Sequence, residues 1–454
     1  MFRERSRDRR IAATVIATLA LALHSPASGI PSQLEEASSA LVLRNARILS
    51  MAAELSDRAP LLPSGTIVVQ NGVIARIGQD EDEALPEDAR IIDLAGAVVM
   101  PGLADMHAHI AENDLDLFLA HGVTTAREMN GSARHLEWRR QIEAGERRGP
   151  RLFVTSTLLA GEPVDGVRFE LVTDPDQARE LARSAANVGY DMLKVYDGLG
   201  ASTYEALAGE AALLDLPMTG HVPSAVGVAG VLASRQHLEH TEKLVHAGVG
   251  IEELVEQIRV AEVWLTPTLA VQEALSLAGT LEYSAALDDP SMEFMPAGIL
   301  GWWHSLAGQR PTPTQTSPFV ERQQLLLRAA YDAGVPLLAG SDTPNPLMVP
   351  GLSLVDELEA LVRGGLSAHA ALVTATNAAG RFATTVLKSP DSFGVVEVGA
   401  AADLVILEQD PREMLSTLRA PRAVVAGGTW FDREALDAML RGVAARRAPA
   451  VDGE

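Results

Sequence analysis

Short apolar runs recur along the middle of the chain, and amphipathic helical patterns separate most of them. Between residues 97 and 342 there are eight such strand-like runs: 98–109, 123–128, 151–156, 192–196, 218–222, 237–242, 264–269 and 335–342. Asp174 and Pro175 open one intervening helix as a cap and a first-turn proline, and Gly189 ends it. Another helix is expected from about 203 to 214. Eight strands alternating with helices predict an α/β chain folded as a (β/α)8 TIM barrel, whose chemistry gathers at the C-terminal ends of the strands.

Shorter runs flank this region, at 40–48, 65–69, 73–77 and 90–94 before it and near 403–407 and 423–425 after it. Gln70-Asn71-Gly72 between two of them is a hairpin signal. The economical reading is a small β-sandwich built from both chain ends, residues 40–96 and 394–432. The barrel, 97–393, is inserted between them, and 433–454 forms a C-terminal tail. The stretch from 269 to 335 breaks the alternation and carries Trp302, Trp303 and a Pro/Thr-rich run at 311–318. A loop this long is functional or mobile, and we read 275–320 as a partial lid.

Composition narrows the class. A chain of 454 residues with 47% hydrophobic content suits a large globular barrel plus a small domain. A net charge of −23 excludes a nucleic-acid partner, whose phosphates need a basic surface. At the N-terminus five arginines precede an uncharged apolar run, 11–23, with Ser25 and Ala27 placed like the −3 and −1 positions of a cleavage site. Residues 1–27 therefore read as a signal peptide, the run being short for a membrane anchor, which is the competing reading. Arg9-Arg10 hints at twin-arginine export, but Ile11, Ala12 and Ala13 fit that pattern poorly. Signal removal takes away five arginines and two acids, leaves −26, and predicts a periplasmic or secreted protein free of the membrane. Export permits disulfides, yet there is no cysteine, so any metal must be held by nitrogen and oxygen.

Six residues stand where an apolar run gives way to a loop: His107 and His109, Lys194, His221, His240 and Asp342. Two imidazoles at i and i+2 on a strand share a face and can grip one cation. Lys194 is one of three lysines against 34 arginines, and its burial in an apolar strand is costly unless it is paired or neutralised. Reaction with carbon dioxide would make it a carbamate, an anionic two-oxygen ligand able to bridge two cations; a buried salt bridge is the alternative. His221 and His240 could each be core histidines, and His237 competes with His240, since three residues apart on a strand they face opposite sides. Asp342 could bind metal and take a proton from water, or cap a helix ahead of Pro344. Tyr196 shares the Lys194 face and could contact substrate or simply pack. Arg127 fits an ion pair with Glu128 or a core acid better than a substrate carboxylate, and Asp356 reads as a solvated helix residue.

Together these segments resemble the amidohydrolase superfamily, in its imidazolonepropionase-like and metal-dependent prolidase-type branch. PGLADMHAH, KVY, GH, LEH and GSDT resemble its first-, fourth-, fifth-, sixth- and eighth-strand motifs. GLSAHAALVTATNAAGRF followed by GVVEVGAAADLVIL resembles the return into the β domain. The LEH motif selects His240 over His237. The resemblance implies two divalent metal ions, zinc by the nitrogen-rich ligand set, with manganese or cobalt as other fits. It places His107, His109 and Asp342 on one ion and His221 and His240 on the other, bridged by a carbamate on Lys194. A hydroxide between the ions would attack a carbonyl, and catalytic Asp342 would pass its proton to the leaving amine. Single-metal deaminases of the superfamily carry His-x-x-Glu on the fifth strand. Here Val222, Pro223 and Ser224 follow His221, which disfavours deamination. The expected activity is hydrolysis of an amide bond in a small-molecule substrate, a dipeptide (prolidase-like) or an N-acyl amino acid, by a chain that could form a homo-oligomer. A cyclic amide or ester is the alternative substrate, and a non-catalytic binding protein the least supported reading.

Overall fold

The structure, a computed structural model, describes residues 40–52, 61–79, 85–164, 166–246, 248–309 and 317–448. Residues 1–27, read above as a signal peptide, lie outside the described residues, as does most of the Pro/Thr-rich run. Residues of alternating character at the two ends of the described chain meet in one sheet. Its strands are β1 (Leu41–Ile48), β2 (Leu62–Gln70), β3 (Val73–Gln79), β4 (Arg90–Asp93) and β5 (Val98–Pro101). A second group of strands follows: β6 (Leu103–Ala108), β7 (Val123–Glu128), β8 (Arg151–Ala160), β9 (Phe169–Leu171) and β10 (Met192–Val195). It continues through β11 (Met218–Gly220), β12 (His237–Glu239) and β13 (Leu265–Thr266). The chain then returns to the first sheet with β14 (Leu404–Leu407), β15 (Ala423–Ala426) and β16 (Thr429–Asp432).

The first sheet runs β16-β15-β14-β5-β1-β2-β3, with β4 beside β1. It closes over a core that includes Leu43, Ile67, Ile74, Val99, Leu404 and Val425. A β-sandwich is the expectation here, but the hydrogen bonding links all eight strands into one continuous sheet. The Asn71-Gly72 turn takes the left-handed conformation at both residues (φ 52° and 77°), as a tight hairpin requires. Residues 433–454, read as a tail, hold a helix at Arg433–Arg447 that packs on the helix Asp114–Ala120.

The second sheet is parallel, in the order β6-β7-β8-β10-β11-β12-β13, with β9 paired to β8. Both of its outer strands reach one segment. Leu337 bridges Leu265 of β13, and Thr343 bridges Ala108 of β6. Met106 N donates to Ala339 O and Asp342 N to His107 O across the same seam, at 2.9 and 2.7 Å. The expected eighth strand is thus a stretch of isolated bridges rather than a regular strand. Two glycines make close approaches possible. A Cβ on Gly340 would come within 2.5 Å of the His107 Cβ, and one on Gly220 (φ 135°) within 2.0 Å of the Val195 carbonyl oxygen.

Helices connect the strands. Pro175–Val188 starts where Asp174 accepts from the amides of Asp176 and Gln177, and stops at Gly189 with φ 91°. The second expected helix is Ala201–Leu213. The stretch 269–309 is largely helical (Leu269–Ser276, Leu281–Ala286 and Ala297–Leu306) rather than a loop. Tyr283, Leu287, Met295 and Trp303 pack with Val349, and the Trp303 indole N–H donates to the Pro344 carbonyl at 3.3 Å. The segment is therefore anchored on the loop that follows Asp342.

Candidate metal centre

Each residue singled out from the sequence sits at or just beyond the C-terminal end of a parallel strand or, for Asp342, of the bridging segment. His107 is the penultimate residue of β6 and His109 follows the strand; Lys194 lies in β10; His221 and His240 follow β11 and β12. The structure brings them into a row. Ring centroids of His109 and His107 are 5.6 Å apart, His107 and His240 4.7 Å, and His240 and His221 4.9 Å. Asp342 lies against this row, with Oδ1 3.3 Å from His107 Nε2 and 3.4 Å from His109 Nε2, and Oδ2 3.8 Å from His240 Nδ1. Lys194 Nζ is 3.5 Å from His107 Nε2.

Backbone conformation helps to aim these groups. His240 and Asp342 both have left-handed φ values, 67° and 52°, as does Thr268 at 50°. Non-glycine residues pay for that conformation, so the surrounding packing must hold it in place. Thr268 Oγ1 lies 2.6 Å from His240 Nδ1. His237 points elsewhere: its Nδ1 accepts from Trp264 N at 3.1 Å and its ring lies 5.3 Å from that of Phe382.

Beneath the row lies a buried polar network that the sequence reading did not single out. Glu239 Oε2 is 2.7 Å from His107 Nδ1, and its Oε1 accepts from Arg127 at 2.6 Å and from Thr219 Oγ1 at 2.5 Å. Arg127 also donates to the Met106 carbonyl at 2.6 Å, so its acid partner is the core residue Glu239. Burial alone would raise the Glu239 carboxyl pKa, but Arg127 and Lys194 more than offset this and keep it ionised. An ionised carboxylate only accepts, so His107 donates from Nδ1 and keeps its lone pair on Nε2, the nitrogen facing Lys194 and Asp342.

Asp105 ties the first and last pieces of the parallel sheet together. Its Oδ1 accepts from the amides of His107 and Ser341 at 3.2 and 3.0 Å, and its Oδ2 from Ser341 Oγ at 2.6 Å. On the other flank Asp197 Oδ2 is 3.3 Å from His221 Nδ1, and Asp197 Oδ1 pairs with Lys243. Burial opposes the Asp197 charge, yet His221 and Lys243 hold its pKa at about 2. Tyr196 stacks on His221 with centroids 4.2 Å apart. Asp356 pairs with Arg419 at 2.7 Å, away from the row.

The donor set fits a divalent cation. Burial drives the His107 imidazole well below its ordinary pKa and that of His240 to about 3, so both present lone pairs rather than charge. Burial also works to raise Asp342, but its contacts with the surrounding imidazoles, among them the hydrogen bond from His109, leave it below the ordinary carboxylate range. One donor atom from each of His107, His240 and Asp342 falls within 4.8 Å of the others. This brings His240 against the pair assigned by resemblance to the other ion. Lys194 is buried, and burial lowers its amine pKa to about 8, which favours the neutral form needed to react with carbon dioxide.

Fold and site agree with what the comparisons return. The amidohydrolase family profile matches residues 98–431, and the chain belongs to that family. Among solved structures, a bottromycin amidohydrolase is 25% identical with a TM-score of 0.72 over 90% of each chain. A Xaa-Pro dipeptidase with bound methionine in its active site is 18% identical with a TM-score of 0.64, covering 87% of this chain and all (100%) of that one. An imidazolonepropionase of Brevibacillus brevis is 38% identical over 80 residues, 15% of this chain and 19% of that enzyme. The curated relatives are thus matched over a small part of their length, between 15% and 19% for an enamidase and this imidazolonepropionase.

Proposed function

We propose that the chain is an exported, binuclear-metal amidohydrolase that cleaves the amide bond of a dipeptide, with prolidase-like preference, or of an N-acyl amino acid. The observation that carries this is Asp342, which touches the imidazoles of His107 and His109 and approaches that of His240 beside a buried lysine. In this reading the bridges at Leu337 and Thr343 close the parallel sheet into an eight-membered barrel. His107, His109 and Asp342 would hold one ion and His221 and His240 the other, with the Lys194 side chain, as its carbamate, serving as a ligand to both. Divalent ions bound there, zinc by the donor set, would supply a Lewis acid for the carbonyl and lower the pKa of water. Asp342 takes a proton and delivers it to the leaving nitrogen. Tyr196, at the flank of His221, contacts the substrate. The stretch matched to an imidazolonepropionase supports a second reading, hydrolysis of a cyclic amide.

Metal analysis of the purified protein, together with a panel of dipeptides, N-acyl amino acids and cyclic amides, tests the assignment. Close to two transition-metal ions per chain and loss of activity in Lys194→Ala, partly restored by small carboxylic acids, are expected. A fully active metal-free enzyme, or a fully active Lys194→Ala variant, would refute it.

A further inference from the structure

Most basic groups around the centre are already committed. Arg127 is spent on Glu239, Lys243 on Asp197, and Lys194 lies in the row itself. A substrate carboxylate therefore needs a different cation, and the same end of the strands provides one. Immediately after His109 the chain borders a cavity of about 500 Å³, lined among others by Ile110, Arg134, His135, Trp138 and Arg168. These residues come from the loop after β6, from the helix Ala133–Glu143 that follows β7, and from the segment between β8 and β9.

The cavity is basic in a chain of net charge −23. Arg168 donates to neutral oxygens, Thr157 Oγ1 at 2.8 Å, the Gly131 carbonyl at 2.9 Å, the Asn130 carbonyl and Asn130 Oδ1 at 3.5 Å, and no described carboxylate pairs with it directly. Arg134 is exposed and makes no hydrogen bond or ion pair with a described residue. Glu112, an acid on the rim, is held by Arg147 at 3.0 Å, and the buried Glu128, behind the wall, accepts from the Ile110 amide at 2.5 Å and lies 3.9 Å from His135 Nε2. Most other described arginines nearby do have acid partners, as Arg139, Arg140 and Arg148 show. The walls are rigid. Trp138 is buried edge-on to His135 at 5.0 Å, and His135 Nε2 lies 3.0 Å from the Ile110 carbonyl oxygen.

We infer that this cavity is the recognition subsite for a free carboxylate on the substrate. Arg134 pairs with it directly, Arg168 adds fixed positive charge, and Trp138 covers the apolar part of the acidic residue. A volume of this order leaves ample room for the acidic part of a small-molecule substrate. The substrate class is then an amide bearing a carboxylate, and this rests on the hydrolase assignment made above.

N-acetyl-L-alanine and N-acetyl-L-alaninamide, which differ only in that charge, test it in the metal-loaded protein. Dissociation constants come from ligand-observed NMR, and KM and kcat from amine release. We expect the acid to bind at least roughly tenfold more tightly than the amide. Arg134→Gln should remove that advantage through KM, and Arg134→Lys should keep part of it. Equal binding of acid and amide by the unaltered protein, failure to bind either, or full acid binding by Arg134→Gln would overturn the inference. Hydrolysis of both compounds with equal KM would sink the subsite and spare the hydrolase. An Arg134-dependent preference in binding with no hydrolysis of either would do the reverse.

Discussion

Replacing Glu239 by Gln removes one charge from the network under His107 while keeping its shape. In the native protein that carboxylate is buried and faces Arg127, Thr219 and His107 at 2.5–2.7 Å. The amide leaves the buried Arg127 guanidinium with only neutral partners. Breaking a buried pair from one side costs about 3–5 kcal/mol, and because glutamine can still accept one of these bonds, the lower end, about 3 kcal/mol, is expected. The same change weakens the acceptor that orients His107, which should lower zinc affinity by about 10- to 100-fold. Urea unfolding of the metal-free protein reads the first effect, and zinc competition against a chromogenic chelator reads the second. Adding Arg127→Met should recover part of the stability, since both charges are then gone, but none of the metal affinity. The sign in acid also follows. The native carboxyl pKa is lowered from 4.5, so its stabilisation is present above that pH and fades as the pH falls through the lowered value. A Glu239→Gln protein within about 1 kcal/mol of the parent and with unchanged zinc affinity would refute the reasoning.

Two further outcomes are expected. His240→Ala should lose tightly bound metal on dialysis while His237→Ala retains it, because His237 faces Trp264 and Phe382; metal analysis showing the opposite would move the ligand assignment. Glu357 is buried, accepts from the Ala270 amide at 2.8 Å, and is raised by burial to about 8. Between its ordinary 4.5 and that value the folded state keeps a proton the unfolded chain has released, so stability falls as pH rises. Glu357→Gln should abolish that slope and gain about 3 kcal/mol at pH 7, as read by urea unfolding at pH 5 and 7, and parallel slopes for parent and variant would count against it.

Much of the site is legible in the sequence because each residue of the row ends an apolar run, and strand ends are where such a sheet exposes polar groups. The same runs hide a change of partner. VVMPGLADMHA reads as one strand, yet it leaves the first sheet at Pro101 and joins the second at Leu103, since apolarity records burial and not which neighbour supplies it. Glu239 escaped notice as the middle letter of a motif; an acid inside a buried strand is the signal that could have found it. Strand alternation could not give the orientation of His240, which only the LEH motif selected, because its left-handed φ turns it toward the row against the alternation of β12. The stretch 269–309 looked like a loop because its helices are short and share their apolar residues with the loop at Val349.

The seam made by Asp105 and Ser341 has a bearing on how the protein matures. It joins groups 236 residues apart, so a growing chain cannot assemble the row of candidate ligands until synthesis has passed Asp342. If the proposed metal assignment holds, the complete ligand set becomes available only late, and no early fragment carries it.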